Sequence, residues 1–340
     1  MFRHQNSMPN VTDNQTQVSI PHTSPYVKVG LLFLVVLAFG AGLIFSAAYF
    51  SKPKVQPTVL SAAAEESIAG RSAFANVSLL AQGAIVADID TGAILYEHNP
   101  DAQLPLASLT KVPLVLVTSE VLQPGSIVTI THDTSYNSKA SQLLAGEQWR
   151  TSDLISYTLV ASSNDGAQTL ADAADEPLEA KYPQAGASAT VWRMNDLAKT
   201  LGLKETYFLN TTGLDVSTTQ SGAYGSARDV AKLFAYAAKT EPDLFAKTAT
   251  SSIQITALTG QVAHAENTDE ALDEIPGMIM GKTGLTDLAG GNLAVVFAAN
   301  GKRYVAVALG STETGRFTDI QQLTEATRSI GADTMPAAQE

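Results

Sequence analysis

Three observations predict an α+β fold with an antiparallel sheet built from both ends of the folded region. A strand-and-turn pattern opens it, a long helical stretch follows, and three further strands and a final helix close it. The opening segment is Gly83 to Glu97, "GAIVADIDTGAILYE", in which β-branched residues flank the turn signal Asp90-Thr91-Gly92. After Pro105, the apolar stretch from Leu106 to Val121 has helical spacing at Leu109, Val112, Leu116 and Val117. Further helices are expected over 152–161, 164–173, 191–202 and 226–239. In the last of these, Ser226 and Asp229 occupy capping-box positions ahead of an apolar face of Val230, Leu233, Phe234 and Ala237. The pattern then changes to strands at 278–284, 292–299 and 302–310, with Asn300-Gly301 marking a hairpin, and a helix from about Thr318 to Arg328 ends the region.

The chain has 340 residues, 45% hydrophobic and 16% charged, enough for a sizeable core. Residues 1–72 hold Arg3, Lys28, Lys52, Lys54 and Arg71 against Asp13, Glu65 and Glu66, which leaves −14 of the whole-chain charge of −12 on the remainder. So acidic a folded region carries no electrostatic footprint for nucleic acid. Without cysteine there is no disulfide, thiol nucleophile or Cys-ligated metal. His98, His132 and His264 form no recognisable pattern, and neither an HExxH nor a clustered metal spacing occurs, so neither metal nor cofactor is expected.

Residues 1–28 are polar, interrupted by Pro9, Pro21 and Pro25, and read as a disordered tail. Val29–Phe50 is 22 residues without a charge. As a helix it would reach roughly 33 Å, enough to cross a hydrocarbon core, and it is longer and further from the N-terminus than a cleaved signal core usually is. A single-pass anchor is therefore expected over 29–50, then a linker at 51–72, a folded domain at 73–330 and a short tail at 331–340.

"PGMIMGKTG", Pro276 to Gly284, poses a choice between a phosphate loop and a strand bearing Lys-Thr-Gly. A P-loop needs four residues between its first glycine and the Gly-Lys pair, yet only Met278, Ile279 and Met280 separate Gly277 from Gly281. The residues after Gly284 lead into a strand rather than a phosphate-binding helix. The other reading requires Ser-x-x-Lys and Ser-x-Asn elsewhere. Ser-x-x-Lys occurs at Ser51–Lys54, where Pro53 precludes a helix, and at Ser108–Lys111, where i,i+3 spacing stacks the lysine over the serine. Ser-x-Asn occurs in polar sequence at Ser135–Asn137 and between two expected helices at Ser162–Asn164.

With these three motifs in order, and with "LPLASLTK", "LVASSNDGAQTLA", "FLNTTGLD", "GSARDVAKL" and "KTGLTDLAGGNLAV", the sequence from roughly Phe74 to Arg328 resembles the serine D-alanyl-D-alanine carboxypeptidases, the low-molecular-mass penicillin-binding proteins. The resemblance implies a β-lactamase/transpeptidase-like fold, a five-stranded antiparallel sheet flanked by helices with a mostly helical subdomain. It implies Ser108 as acyl-ester nucleophile and Lys111 as its base, with a pKa lowered by desolvation and by the charge of Lys282. Ser162 is then the proton relay and Asn164 a partner of the substrate amide. Lys282, Thr283 and Arg316 are expected at the substrate carboxylate, and the backbone N–H groups of Ser108 and Leu285 at the oxyanion.

The implied partners are a peptidoglycan stem peptide ending in D-Ala-D-Ala and β-lactams as covalent inhibitors, with the catalytic domain outside the cell membrane. The rival expectations are a D,D-endopeptidase, a β-lactamase and an anchored penicillin sensor. Glu205 and Asn210 are five apart where a class A β-lactamase wants four, and the N-terminal tail has no signalling pattern. Only tail, anchor and linker precede the folded domain, unlike a biosynthetic transpeptidase, and the C-terminal tail has no room for the β-rich domain of many members.

Overall fold

A computed structural model of the chain describes residues 72–131 and 143–332. The expected tail, span and most of the linker, His132 and the Ser135–Asn137 motif lie outside the described residues. All described residues belong to one compact unit, Ser61–Glu340.

The expected hairpin forms β1 (Gly83–Asp88) and β2 (Ile94–His98). Its turn is held by the Asp88 carboxylate, which accepts from the Asp90 and Thr91 N–H groups, and Gly92 takes φ +75° where a side chain would be strained. Short strands β3 (Leu104–Pro105), β4 (Ile127–Thr129), β5 (Gln148–Arg150), β6 (Tyr207–Phe208) and β7 (Ala223–Gly225) thread the helical half. A hairpin, β8 (Ser252–Thr256) with β9 (Val262–Glu266), precedes β10 (Met278–Thr286), β11 (Gly290–Ala299) and β12 (Lys302–Ser311). The main sheet is antiparallel throughout with order β10-β11-β12-β1-β2, the two chain ends meeting where β1 pairs with β12.

Period-two alternation gives this sheet two buried faces. Ile85, Met280, Ala294, Val296, Val305 and Val307 face the helical side, while Val86, Leu293, Val295, Phe297 and Ala306 face the final helix. That helix, α7 (Gly315–Ala332), covers the second face with Phe317, Ile320 and Leu323. Phe74 joins the same core and stacks on Tyr96 at 5.2 Å.

The helices on the other side are α1 (Lys111–Thr118), α2 (Thr151–Val160), α3 (Asn164–Lys181), α4 (Ala189–Thr200), α5 (Ala227–Thr240) and α6 (Pro242–Phe245). Every residue of α1 is buried, so this short helix is the post around which the others pack. Two expectations need correction. The helix expected from Leu106 begins as a 3₁₀ turn, Ala107–Thr110, because Ala107 is in the left-handed region at φ +48°. The expected capping box at α5 is half formed. Ser226 accepts from the Asp229 N–H, but the Asp229 carboxylate is drawn away by the Glu205 N–H and the Thr206 hydroxyl. The β8–β9 hairpin was missed because its strands are short and half exposed, so their pattern is weak.

One loop fixes the base of the 3₁₀ turn. Asn210 Oδ1 accepts from the N–H groups of Thr212 and Gly213, folding 210–214 into a tight turn against Ala107. Gly213 has φ +80°, and a Cβ there would lie 1.9 Å from the Ala107 carbonyl oxygen. Replacing Gly213 with Ala combines a left-handed strain of ~1–2 kcal/mol with overpacking of ~1–3 kcal/mol. A stability loss of about 2–5 kcal/mol is expected in urea denaturation. A loss below about 1 kcal/mol would mean that the turn relaxes freely.

Candidate active site

Three segments distant in sequence converge beside the first residue of α1. Ser108 is half-buried on the 3₁₀ turn, where i and i+3 side chains eclipse, and Lys111 therefore lies directly over it. The Lys111 Nζ donates to Ser108 Oγ at 2.8 Å, to Asn164 Oδ1 at 2.8 Å and to the Thr212 carbonyl at 3.1 Å. None of these partners is a carboxylate, and the side chain is 0% exposed. Burial brings its pKa down to about 7. Desolvation is the main cause of this shift, and the expected charge interaction between the two amines shows in the lowered pKa of Lys282.

Ser162 and Asn164 lie at the junction of α2 and α3. Ser162 adopts φ +54°, a conformation costly for a residue with a side chain, and the turn it makes sends the Asn164 amide inward. Ser163, not Asn164, caps α3, its Oγ accepting from the Gly166 N–H. Asn164 is thereby free for Lys111, a contact more direct than the expected one with substrate.

The third segment is β10. The pleat places Lys282 on the same face as Met280, toward the helical half. Its Nζ donates to Ser162 Oγ at 2.8 Å and to the Thr283 carbonyl at 2.9 Å. The Lys282 pKa is held well below the ordinary lysine value by burial first, then by Lys111 and Arg316, with Asp269 opposing. Thr283 Oγ1 shares a hydrogen bond with Thr268 Oγ1 at 2.5 Å. Arg316, at the start of α7, donates from Nη1 to the Gly284 carbonyl at 2.9 Å and stacks over the Phe317 ring at 4.6 Å.

Gly284 sets how closely β10 approaches the serine. A Cβ there would stand 2.8 Å from the Leu106 carbonyl oxygen and 3.2 Å from the Ser108 nitrogen. Leu285, the next residue, is 42% exposed, so its end of the strand is open to solvent. Asn292 adds a tie from β11, its amide donating to the Pro105 carbonyl.

Thus the residues singled out from the sequence lie on the converging segments, with Arg316 reaching them from α7. Ser108, Lys111 and Asn164 form one hydrogen-bonded set, and Ser162, Lys282 and Thr283 a second. Sequence reasoning missed the Thr212 carbonyl, although the Asn-x-x-Gly spacing of Asn210 and Gly213 was a turn signal beside it. It also missed Thr268 and Asp269, which no motif marks. Asn210, half of the near-match to a β-lactamase loop, is occupied in holding the 210–214 turn.

A hydroxyl beside a desolvated amine and a second buried amine define an acyl-transfer centre of the serine–lysine class. The D-alanyl-D-alanine carboxypeptidase (peptidase S11) family matches residues 70–313, and the chain belongs to it. It is 33% identical over 226 residues to the D-alanyl-D-alanine carboxypeptidase DacB2 of Mycobacterium tuberculosis, covering 66% of this chain and 73% of that protein. With the D-alanyl-D-alanine carboxypeptidase DacF of Bacillus subtilis it shares 29% over 238 residues, 68% of this chain and 58% of the relative, so it spans less than two thirds of that length. The crystal structure of penicillin-binding protein D2 from Listeria monocytogenes in its ampicillin-bound form superposes with a TM-score of 0.63 at 28% identity, covering 74% of this chain and 98% of that one. The fold is the β-lactamase/transpeptidase-like one.

A lysine whose pKa is about 7 when folded and ordinary when unfolded binds fewer protons in the native state between those values. Stability should therefore rise with pH from about 7 toward the ordinary lysine value. The slope has a ceiling of about 1.4 kcal/mol per pH unit for one group. Lys111→Met should flatten that rise in denaturation curves taken from pH 7 to 10; an unchanged slope would mean that Lys111 is not desolvated.

Proposed function

We propose that the protein is a serine D,D-carboxypeptidase that removes the terminal D-alanine from peptidoglycan stem peptides and is acylated by β-lactams. The observation that carries this reading is the 2.8 Å contact between Ser108 Oγ and a Lys111 amine whose pKa of about 7 leaves a large neutral fraction at physiological pH. An amine without its proton can accept one.

In the proposed reaction Ser108 Oγ attacks the carbonyl of the penultimate D-alanine while its proton passes to Lys111. The oxyanion rests on the backbone N–H groups of Ser108 and Leu285, which the close approach at Gly284 supports. One such donor is typically worth about 10²–10³ in rate. Collapse breaks the amide, and the departing amine takes the proton that Lys111 received, relayed by Ser162, which lies against Lys282, so that Lys111 is again neutral. Water then cleaves the acyl-enzyme, with Lys111 as base. Lys282, the Thr283 hydroxyl and Arg316 are assigned to the terminal carboxylate. This assignment is supported by two buried basic side chains beside one strand and by the Arg316 Nε, which has no hydrogen-bond partner among the described residues. We assign residues 29–50 to a single-pass anchor with the catalytic domain outside the cell; its 22 uncharged residues support this.

The full chain in detergent should take up a fluorescent penicillin and release D-alanine from a D-Ala-D-Ala peptide, and Ser108→Ala should abolish both. Labelling that survives in Ser108→Ala would overturn the nucleophile. Label without D-alanine release would favour a sensor, and rapid label loss with destruction of the antibiotic a β-lactamase. Cleavage of cross-linked rather than terminal D-alanine would favour an endopeptidase. Membrane fractionation of the full chain checks the anchor.

The acylation rate should climb as pH rises through about 7, because only the unprotonated Lys111 is a base. Lys111→Met should lower it about 10²–10⁴-fold and remove that limb.

A further inference from the structure

We propose that Asp269 is a positioning residue that keeps the Lys282 ammonium charged, so that the substrate carboxylate meets a cation and not a neutral amine. The inference rests on the function proposed above and goes beyond the three motifs. It starts from a carboxylate in an unfavourable place. Asp269 is 5% exposed; Oδ1 accepts from the Ala271 N–H at 3.0 Å, but Oδ2 is buried with no hydrogen-bond partner among the described residues. A buried carboxylate oxygen without a donor costs stability, and so calls for a reason.

The segment around it is clamped to the site on two sides. The Thr268 hydroxyl bonds that of Thr283, the residue after Lys282, and the Thr268 N–H donates to the Val160 carbonyl, two residues before Ser162. The Asp269 N–H donates to Asn267 Oδ1, closing a rigid turn that holds the carboxylate in place. The charged groups that act on it are Lys282 from β10, Arg316 from α7 and the adjacent Glu270.

For Lys282 the balance is one-sided. Burial, the Lys111 amine on α1 and the Arg316 guanidinium all disfavour its ammonium form, and Asp269 is the group that favours it. Burial pushes Asp269 itself up to about 6, against the pull of Ala271, Arg316 and Lys282, so it is ionised at neutral pH and can serve as that counter-charge. The same carboxylate also offsets the burial of Arg316. Native burial of a charge that makes so few hydrogen bonds is then the cost of a cationic pocket beside the neutral base that Ser108 requires.

The test compares the full chain with Asp269→Asn, using ε-¹³C-lysine labelling and a Lys282→Arg variant to assign the Lys282 signal. In Asp269→Asn the Lys282 titration should move about one unit toward acid, a tenfold change in the ammonium equilibrium. The alkaline limb of kcat/KM on a D-Ala-D-Ala peptide should move with it, chiefly through KM. The Asn variant should also melt higher than wild type at pH 8, with the difference shrinking below pH 4, because a carboxyl raised to about 6 weakens the fold as pH rises from its ordinary value. A Lys282 titration that overlies that of wild type would overturn the proposal, as would a variant less stable at pH 8. Asp269→Ser, whose hydroxyl can still accept from the Ala271 N–H, repeats the comparison if the Asn variant does not fold. The lysine signal does not depend on turnover, so a wild-type chain that releases no D-alanine would refute the proposed function and leave this test standing.

Discussion

The site depends on one buried amine. Lys111 Nζ draws its three hydrogen bonds from three separate parts of the chain: the 3₁₀ turn, the start of α3 and the 210–214 turn. Burying a lysine is costly unless its polar atom is satisfied, and these bonds satisfy it without supplying a negative charge. A carboxylate in any of those positions would have stabilised the ammonium. The uncharged partners allow desolvation to bring the amine down to about 7. Packing and chemistry are here the same arrangement, since what buries α1 also lowers the pKa of its first residue.

Strain is concentrated where the segments meet. Ala107 and Ser162, both left-handed, sit immediately before Ser108 and at the head of the Ser-x-Asn motif. Each costs about 1–3 kcal/mol in isolation and persists because its surroundings over-determine it. The glycines at 213 and 284 are the complement of that strain, giving up a side chain so that two backbones can press against the serine turn. Ser108 is thus flanked by the 210–214 turn and by β10, with Lys111 against its hydroxyl.

Two amines in one pocket must divide the labour. Like charges in a desolvated site resist being present together, and Lys282 feels the charge of Lys111. Lys111 has no acidic neighbour in its bonding shell, whereas Lys282 has Asp269 within electrostatic reach. That asymmetry suits the two roles we propose, proton acceptor for one lysine and anion anchor for the other, although their side chains are identical.

The sequence by itself determined much of this. Largely apolar runs marked β10, β11 and β12 to within two residues, because both faces of the sheet are buried and a strand covered on both sides needs apolar residues in succession. Ser108–Lys111 was legible because its spacing is local and helical, and the Lys-Thr-Gly strand because a P-loop spacing could be excluded. Residues recruited over long distances were not legible. Thr212 contributes only a carbonyl, which every residue has; Asp269 acts through burial, which no local pattern encodes; and Asp229 leaves its own helix cap for Glu205 and Thr206. Only the tertiary structure lowers the pKa of the two lysines, since a pKa depends on which groups surround an amine and how little water reaches it. Spacing along a chain carries that information only when the neighbours lie on the same turn of helix.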